Sequence, residues 1–407
     1  MSDDISLEVA SVVTALNNKY DLDRGESVES ILPNKMDVDA GNRSTDINIR
    51  LAIAASPAWY KRKALFTPNK TTITIHENTQ VNIGNNGYIS TSDVTLSLNS
   101  IATAANRAGK DVYIYACVGS GTEPTFVLST NSTVPTGYTA DNSRKIGGFH
   151  CLCKDVGTIS GHTLSGYVAG DILPLSVWDL LHRPVSDPEG MVYALGKWFD
   201  IYLASWDGSK LVSVYNGVVC DSASTEKFNG EKFAEKMGLV NKKLIAREDF
   251  IVVAKGSNEN TNITGSTDPN TTGGHVDTAN RRMISNYGLE DCCGAYWQWI
   301  SDTWGHFSAS ASTDSHHQYG GMEQSAVGTN HYLIGYNWNN KSVYLPSIDG
   351  DTQPYGSSYG ALTRAYVGGG WVNSGYCGSR CVFLSHLSSC AWSHSGARGC
   401  SEPKCTV

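Results

Sequence analysis

The chain has 407 residues, of which 40% are hydrophobic and 10% aromatic, and its formal net charge at pH 7 is -8. This length allows about two or three domains with real cores, and the composition is that of a folded protein and excludes a largely disordered one. The net charge is mild and no Lys/Arg block occurs, so nucleic acid binding is not expected. No apolar run is long enough to span a bilayer, so membrane insertion is not expected either.

Residues 1–56 predict an amphipathic helix followed by a linker. Apolar side chains recur at helical spacing at Val9, Val12, Val13, Leu16 and Tyr20. The polar stretch that follows contains Pro33 and Gly41, which favour a linker. The first residues are acidic where a secretion signal would be basic, so we expect synthesis in a cytoplasm.

Residues 57–169 predict a β-rich domain, a prism or a sandwich. Turn clusters separate five runs that are rich in β-branched and aromatic residues, at 71–76, 93–98, 111–118, 125–129 and 147–156. Two histidines in these runs, His76 and His150, are interpreted as strand residues and not as metal ligands. We therefore expect a spacer or oligomerisation domain without catalytic residues.

Eleven cysteines include an adjacent pair, Cys292 and Cys293, and five between residues 377 and 405. Without a signal peptide, buried free thiols are favoured over a disulfide framework, which stays the alternative. No two C-x-x-C motifs stand at zinc spacing, so neither a structural metal nor a cofactor is expected.

Four segments beyond residue 170 resemble, in the right order, the formylglycine-generating-enzyme type of C-type lectin fold. They are "ILPLSVWDLLHRPVSDPEGMVYALGKWFDIYLAS" (172–205), "GLEDCCGAYWQWISD" (288–302), "ALTRAYVGGGWVNSGYCGSRC" (361–381) and "GARGC" (396–400). The resemblance implies an α+β protein in which a C-type lectin domain over residues 170–407 follows the β-rich domain.

The stretch 256–294, together with "GSRC" and "GARGC", narrows the resemblance to the variable proteins of diversity-generating retroelements. Within them it is similar to the major tropism determinant type of phage tail-tip receptor-binding protein. In that family a reverse transcriptase randomises adenines at the 3′ end of the gene. The resemblance therefore implies a variable region at about 364–400.

Residues 364–400 contain no Lys, Glu, Gln or Met. Codons of the AAY type randomised at both adenines cannot encode these residues or Trp, so Trp371 and Trp392 are expected to be constant. A Ser/Gly-rich loop region is the simpler alternative. Scaffold residues are expected at tight turns and in the core, at Gly368, Gly369, Trp371, Cys377, Gly378, Ser379, Arg380 and Cys381.

The interleaved residues share no chemical theme and are predicted to form an exposed ligand-binding surface. Tyr, Ser, Gly and Asn suit such a surface, because rings give contact area at low entropic cost and small polar residues adapt their hydrogen bonds. Tyr366, Tyr376 and Phe383 are the candidate hot spots. The full predicted set is Tyr366, Gly370, Val372, Asn373, Tyr376, Phe383, Ser385, His386, Ser388, Ser389, Ser393 and His394.

Three rival interpretations stay open but are disfavoured. A copper-dependent oxidase of the formylglycine-generating type would need a cysteine pair from Cys377, Cys381, Cys390, Cys400 and Cys405, and none can be matched to the catalytic positions. Calcium-dependent sugar binding would rely on Asp349 and Asp351, which are more typical of a turn. A metal site at His306, His316 and His317 would lie in a Ser-rich insertion.

The sequence therefore predicts a binding protein and not an enzyme. The resemblance implies a homotrimer in a phage virion that contacts other tail proteins and binds a host cell-surface protein or glycan. Multiple copies would strengthen a weak single contact, because later contacts are effectively intramolecular. A cellular diversified ligand-binding protein is the alternative.

Overall fold

The computed structural model describes residues 65–119, 123–306, 332–333, 342–344, 361–383 and 391–404, without the side chains of 303–306, 332–333, 342–344 and 361–363. The helix predicted near the N-terminus lies outside these ranges. Up to residue 179 the described chain forms nine strands and one helical turn: β1 (Phe66–Pro68), β2 (Thr72–Ile75), β3 (Gln80–Ile83), β4 (Asn86–Ile89), β5 (Val94–Ser97), α1 (Ala104–Arg107), β6 (Asp111–Cys117), β7 (Thr125–Ser129), β8 (Ser143–His150) and β9 (Trp178–Asp179).

These strands form antiparallel sheets in the orders β1-β2-β5 and β7-β6-β8-β9, beside a β3-β4 hairpin. Alternation decides which side is buried: in β2, Ile73 and Ile75 are fully buried and the two threonines are partly exposed. The isoleucines join Val112, Ile114 and Phe149 in one hydrophobic core.

Four of the five predicted strands are present within their predicted ranges, and the fifth is displaced. β8 covers Ser143–His150, where the sequence predicted 147–156. The strand begins earlier because Ser143 and Arg144 pair with the end of β6, although Arg144 itself is exposed. It ends at His150 because the next residue, Cys151, makes only an isolated bridge to Ile172.

His150 is a satisfied core histidine, as its strand position predicted. Its Nδ1 lies 2.9 Å from Asp111 Oδ1 and its Nε2 lies 3.0 Å from the Tyr202 hydroxyl. His76, directly after β2, lies 2.7 Å from the Thr67 hydroxyl. Both imidazoles are therefore engaged within the protein.

Beyond residue 179 the described chain forms twelve strands and two helices: β10 (Met191–Ala194), β11 (Lys197–Asp200), β12 (Ser205–Trp206), β13 (Leu211–Val212), α2 (Gly230–Leu239), β14 (Lys243–Leu244), α3 (Arg247–Val253), β15 (Trp297–His306), β16 (Tyr332–Leu333), β17 (Ser342–Tyr344), β18 (Ala361–Gly368), β19 (Gly378–Phe383), β20 (Ser395–Ala397) and β21 (Gly399–Ser401). They form sheets in the orders β10-β11-β21-β14, β12-β13 and β16-β17-β19-β18-β15-β20. The described chain is thus mostly β-sheet with few helices, which corrects the balance implied by an α+β class.

The helix α2 was not predicted, although its signals are present in the sequence. The Asn229 side chain caps its N-terminus by accepting a 2.8 Å hydrogen bond from the Lys232 backbone NH. Phe233 and Met237, one turn apart, are both fully buried. Gly230 lets the helix approach Trp299, because a Cβ there would lie 2.8 Å from the indole.

Two ion pairs in this part of the chain are buried, and one of them, Lys242 with Asp200, connects segments 42 residues apart. Lys242 Nζ lies 2.6 Å from Asp200 Oδ1, and the Arg282 guanidinium donates to both oxygens of Glu290 at 2.7 and 2.9 Å. Because both partners of each pair are buried, removal of one would leave the other as an uncompensated buried charge. Among the described helices, none has both the length and the apolar character that a membrane span requires.

Candidate ligand-binding site

A tight loop between β18 and β19 carries four of the twelve predicted site residues, Gly370, Val372, Asn373 and Tyr376. Gly368 and Gly369 have φ angles of +91° and +87°, a region that favours glycine. Asn373 closes the loop, because its Oδ1 accepts from the Gly370 NH at 2.9 Å and its own NH donates to the Gly370 carbonyl at 3.1 Å. A 3₁₀ turn, Ser374–Tyr376, leads into β19. The loop is therefore shaped by its own hydrogen bonds.

This loop, the ends of β15 and β19, and the segment before β20 enclose a cavity of about 480 Å³. Its inner wall is aromatic: the Trp297 and Phe383 ring centroids are 5.4 Å apart, and Tyr366 stacks at 3.9 Å on Trp299 beneath. The described lining residues are Trp297, Tyr366, Val372, Asn373, Ser374, Tyr376, Phe383, Trp392, His394 and Ser395.

Three large apolar side chains at this cavity are exposed to solvent: Val372 (59%), Tyr376 (51%) and Trp392 (41%). Exposed apolar side chains that converge on one concavity mark an interaction site more often than scattered ones do. The arrangement can therefore receive a ligand group and remove it from water.

His394 lies between two tryptophans. Its ring is edge-on to Trp371 at 5.3 Å and to Trp392 at 5.0 Å. Burial lowers the pKa of His394 below its ordinary value, against the opposing effect of Asp268 and Asp221. The imidazole is therefore neutral at pH 7.

The structure brings six of the twelve predicted residues into the cavity lining: Tyr366, Val372, Asn373, Tyr376, Phe383 and His394. Gly370 is buried at the base of the loop, and Ser393 is exposed beside His394, its hydroxyl 3.3 Å from Nδ1. The other four, Ser385, His386, Ser388 and Ser389, lie outside the described residues.

The expectation that the interleaved side chains are all exposed is wrong at Tyr366 and Gly370. Tyr366 is only 2% exposed, because β18 pairs with β15 in a register that sets it opposite Trp299. Gly370 faces Trp297, whose ring would lie 3.2 Å from an added Cβ. These positions support the cavity from beneath, whereas Val372 and Tyr376 form its rim.

Four lining residues were not predicted from the sequence: Trp297, Ser374, Trp392 and Ser395. Trp392 was expected to be a constant residue and was therefore left out of the predicted binding set. Its 41% exposure, which places it at the cavity, is not visible in the sequence. Trp297 belongs to a segment that resembles a fold element, and its neighbours Gln298 and Trp299 are fully buried. Only the tertiary structure turns Trp297 towards the cavity.

Several predicted scaffold residues are buried behind the site. Trp371 is 8% exposed and packs edge-on against Tyr296 at 4.9 Å. The Ser379 hydroxyl donates to Glu259 Oε1 at 2.7 Å. Arg398, which was not among the predicted scaffold residues, is fully buried and donates to the backbone carbonyls of Asp200, Ile201 and Glu290.

The nine described cysteines are free and buried, as the thiol interpretation predicted. Burial raises the pKa of Cys377 and Cys400 to about 12, so these thiols are neutral at pH 7 and poorly suited to metal binding or nucleophilic attack. Cys390 and Cys405 lie outside the described residues.

Within the described ranges, no three His, Cys, Asp or Glu side chains are placed to hold a metal ion. The residues of the two rival metal sites lie outside the described part of the chain. They are Asp349, Asp351, His316, His317 and the side chain of His306.

Glu259 accepts a hydrogen bond from Ser379 behind the site loop, and its carboxyl is expected to make the stability of the folded chain depend on pH. Burial raises the pKa of its carboxyl to about 7, although Ser379, Arg281 and Arg380 act to lower it. Since this value exceeds the unfolded value of about 4.3, the folded state binds the extra proton. The contribution to stability is therefore complete below about pH 4 and is lost as the pH rises through about 7.

We expect Glu259→Gln to remove this loss and to be more stable than the parent by about 3 kcal/mol at pH 8. Urea unfolding at pH 5 and pH 8 measures the difference. Glu235→Gln, at an exposed position, is the control and should leave the pH dependence unchanged. Equal pH dependence in the parent and Glu259→Gln would contradict the prediction.

Comparisons with known proteins agree with this architecture. Residues 63–179 match the family described as the Mtd second domain. A tail fiber receptor-binding protein of Bordetella phage BPP-1 is 29% identical over 324 residues, which cover 74% of this chain and 73% of the relative.

Two solved structures, the U1 and M1 variants of the major tropism determinant, superpose on this chain with TM-scores of 0.60 and 0.61. Each is 26% identical in sequence, and each match covers 84% of this chain and 83% of the other. In sequence and in fold, this chain resembles the major tropism determinants of phages.

Proposed function

We propose that this chain is a receptor-binding protein of a phage tail and that it binds the host surface through the cavity between β18, β19 and β20. The observation that carries the proposal is the convergence of six predicted binding residues on one aromatic cavity with exposed apolar rims. The relative from phage BPP-1 supports it, because that protein is named a tail fiber receptor-binding protein.

The finer organisation belongs to the same proposal. In this proposal residues 57–169 form a β-rich spacer and oligomerisation domain and residues 170–407 a C-type lectin fold with a variable region at about 364–400, whereas the helix and linker predicted at 1–56 lie outside the described residues. The family match over 63–179 supports a separate β-rich domain. Three copies assemble in the virion and contact other tail proteins, and the site acts in binding, without catalysis.

Purified chain should compete with virions for host cells in an adsorption assay. We expect Val372→Asp to weaken this competition about 30-fold, because a rim contact of about 2 kcal/mol is replaced by a charge that must be desolvated. Val218→Asp is the matched control, since Val218 is 71% exposed and is not among the described residues of the cavity.

The substitution at Val372 should leave stability unchanged, because this side chain is already 59% exposed. A Val372→Asp protein that folds and competes as well as the parent would contradict the proposed site. A parent chain that does not reduce adsorption at all would contradict the proposed function.

A further inference from the structure

Three asparagines in the chain are followed directly by glycine: Asn86, Asn216 and Asn229. In an Asn-Gly pair the glycine nitrogen can reach the asparagine side chain, because glycine has no Cβ to hinder its approach. The three pairs offer the same reacting groups. The folded structure therefore decides which of them can react.

The pair Asn216-Gly217 is held in place by hydrogen bonds to Thr272. The Asn216 NH donates to the Thr272 carbonyl at 2.8 Å, and the Gly217 NH donates to the Thr272 hydroxyl at 3.0 Å. The Gly217 carbonyl accepts from the Thr272 NH at 3.0 Å. The Gly217 nitrogen cannot turn towards the Asn216 side chain until these bonds break.

The pair Asn229-Gly230 forms the start of α2. The Asn229 side-chain oxygen accepts from the Lys232 NH at 2.8 Å, and Gly230 is buried against the Trp299 indole. A reaction here requires the loss of the helix cap and the opening of the first helical turn.

The pair Asn86-Gly87 lies at the turn of the β3-β4 hairpin, and both residues are exposed. A two-residue turn joins the strands, and Asn86 is the first residue of β4, opposite Ile83. Within the described residues the sheet of β3 and β4 has no third strand. The end of such a ribbon opens at little cost.

The Gly87 NH takes no part in the pairing of β3 with β4. Hydrogen-bonded and non-hydrogen-bonded pairs alternate along an antiparallel ladder. The Ser90 NH donates to the Thr79 carbonyl at 3.0 Å, and the register from this pair makes Asn82 and Gly87 a non-hydrogen-bonded pair. In agreement, the Asn82 carbonyl accepts from Arg144, outside the hairpin. The Gly87 nitrogen is therefore held less firmly than the Gly217 nitrogen.

We propose that Asn86 deamidates spontaneously in the folded chain, whereas Asn216 and Asn229 are protected. The Gly87 nitrogen attacks Asn86 Cγ and forms a bond to it, which closes a succinimide ring. The Cγ–Nδ2 bond breaks, and ammonia leaves with the Gly87 amide proton. Solvent water then opens the ring to aspartate or isoaspartate.

The modification would change both the charge and the backbone of the hairpin. Either product carries a carboxylate in place of the neutral amide of Asn86. Isoaspartate also adds a carbon atom to the main chain, at the position where β4 pairs with Ile83. The proposal does not depend on receptor binding.

The rates are measured by incubation of the full chain at pH 8 and peptide mapping by mass spectrometry. We expect Asn86 to be converted at least about 10-fold faster than Asn216 or Asn229, because reaction at those positions also requires the loss of hydrogen bonds. In chain unfolded by urea, the three asparagines should react at similar rates, since the fold no longer distinguishes them.

Gly87→Ala is the matched variant. It should slow conversion of Asn86 at least about 10-fold, because the added methyl group hinders the nitrogen, and it should leave Asn216 and Asn229 unchanged. The nearest atom to the added Cβ is Asn82 Oδ1 at 3.5 Å, an ordinary contact, so the variant is expected to fold. Thermal unfolding verifies this.

Three results would overturn the proposal. The first is conversion of Asn86 in the folded chain that is no faster than conversion of the other two asparagines. The second is an unchanged rate at Asn86 in Gly87→Ala. The third is the same preference for Asn86 in folded and unfolded chain, because the selectivity would then come from neighbouring residues and not from the fold.

Discussion

Replacement of Arg398 with methionine is expected to destabilise the folded chain by about 3–5 kcal/mol. The guanidinium is fully buried and donates to the carbonyls of Asp200, Ile201 and Glu290, and its Nε lies 3.2 Å from Gln298 Oε1. Methionine fills part of the volume but cannot donate to these acceptors, of which the Ile201 carbonyl keeps its hydrogen bond from the Glu290 NH. The midpoint of urea unfolding measures the loss.

Arg144→Met is the matched control for this prediction. Arg144 is exposed and donates to a single carbonyl, that of Asn82, at 3.0 Å, so its replacement should cost less than about 0.5 kcal/mol. Similar unfolding midpoints for the two variants would show that Arg398 does not connect its segments as we conclude.

Replacement of Gly368 with alanine is expected to cost about 3 kcal/mol or more and to abolish ligand binding. An added Cβ would lie 2.4 Å from the Cys292 carbonyl oxygen, a backbone atom that cannot rotate away. The φ angle of +91° adds strain for any residue with a Cβ. Relief requires movement of the loop that carries Val372 and Tyr376.

Gly375→Ala, in the same loop, separates this effect from a general effect of losing a glycine. The nearest atom to an added Cβ there is the Asn260 carbonyl oxygen at 3.9 Å, an ordinary van der Waals contact. Unfolding midpoints and adsorption competition should both stay near parent values. Equal losses in the two variants would contradict the assigned role of Gly368.

The loop between β18 and β19 combines a rigid base with an exposed rim. Gly368 and Gly369 hold the loop against Gly294, whose NH donates to the Gly369 carbonyl at 3.0 Å. Val372 and Tyr376 project from that base with more than half of each side chain exposed. Substitutions at the rim can therefore alter binding at little cost in stability, which a variable binding surface requires.

Local patterns were sufficient to predict β2, β5, β6 and β7, whereas β1, β3, β4 and β9 were not predicted. In β2 the alternation of threonine and isoleucine is visible in the sequence, and the strand has the burial that alternation predicts. Alternation did not predict the ends of β8, because pairing with β6 determines where that strand begins. The helix α2 was not predicted because its two large buried side chains, Phe233 and Met237, are only one turn apart and give too short a periodic pattern.

The candidate site was predicted only in part, for a similar reason. The tight turn at Gly368 and Gly369 was predicted from glycine chemistry, and the burial of Trp371 from the resemblance of its segment to an element of the lectin fold. The burial of Tyr366 did not, because it depends on the register that sets β18 against β15. Nor could local chemistry predict that Trp297 and Trp392, far apart in the chain, line one cavity.

The sequence by itself determined which stretches alternate as strands, where glycine permits tight turns, and which C-terminal residues are candidates for binding. Tertiary structure alone decided which of those side chains face solvent, which support them, and that Arg398 connects segments 100 to 198 residues away along the chain. The physical reason is that propensity and turn chemistry act over a few neighbouring residues. Burial, strand register and convergence on a cavity depend on contacts between segments that are remote in the sequence.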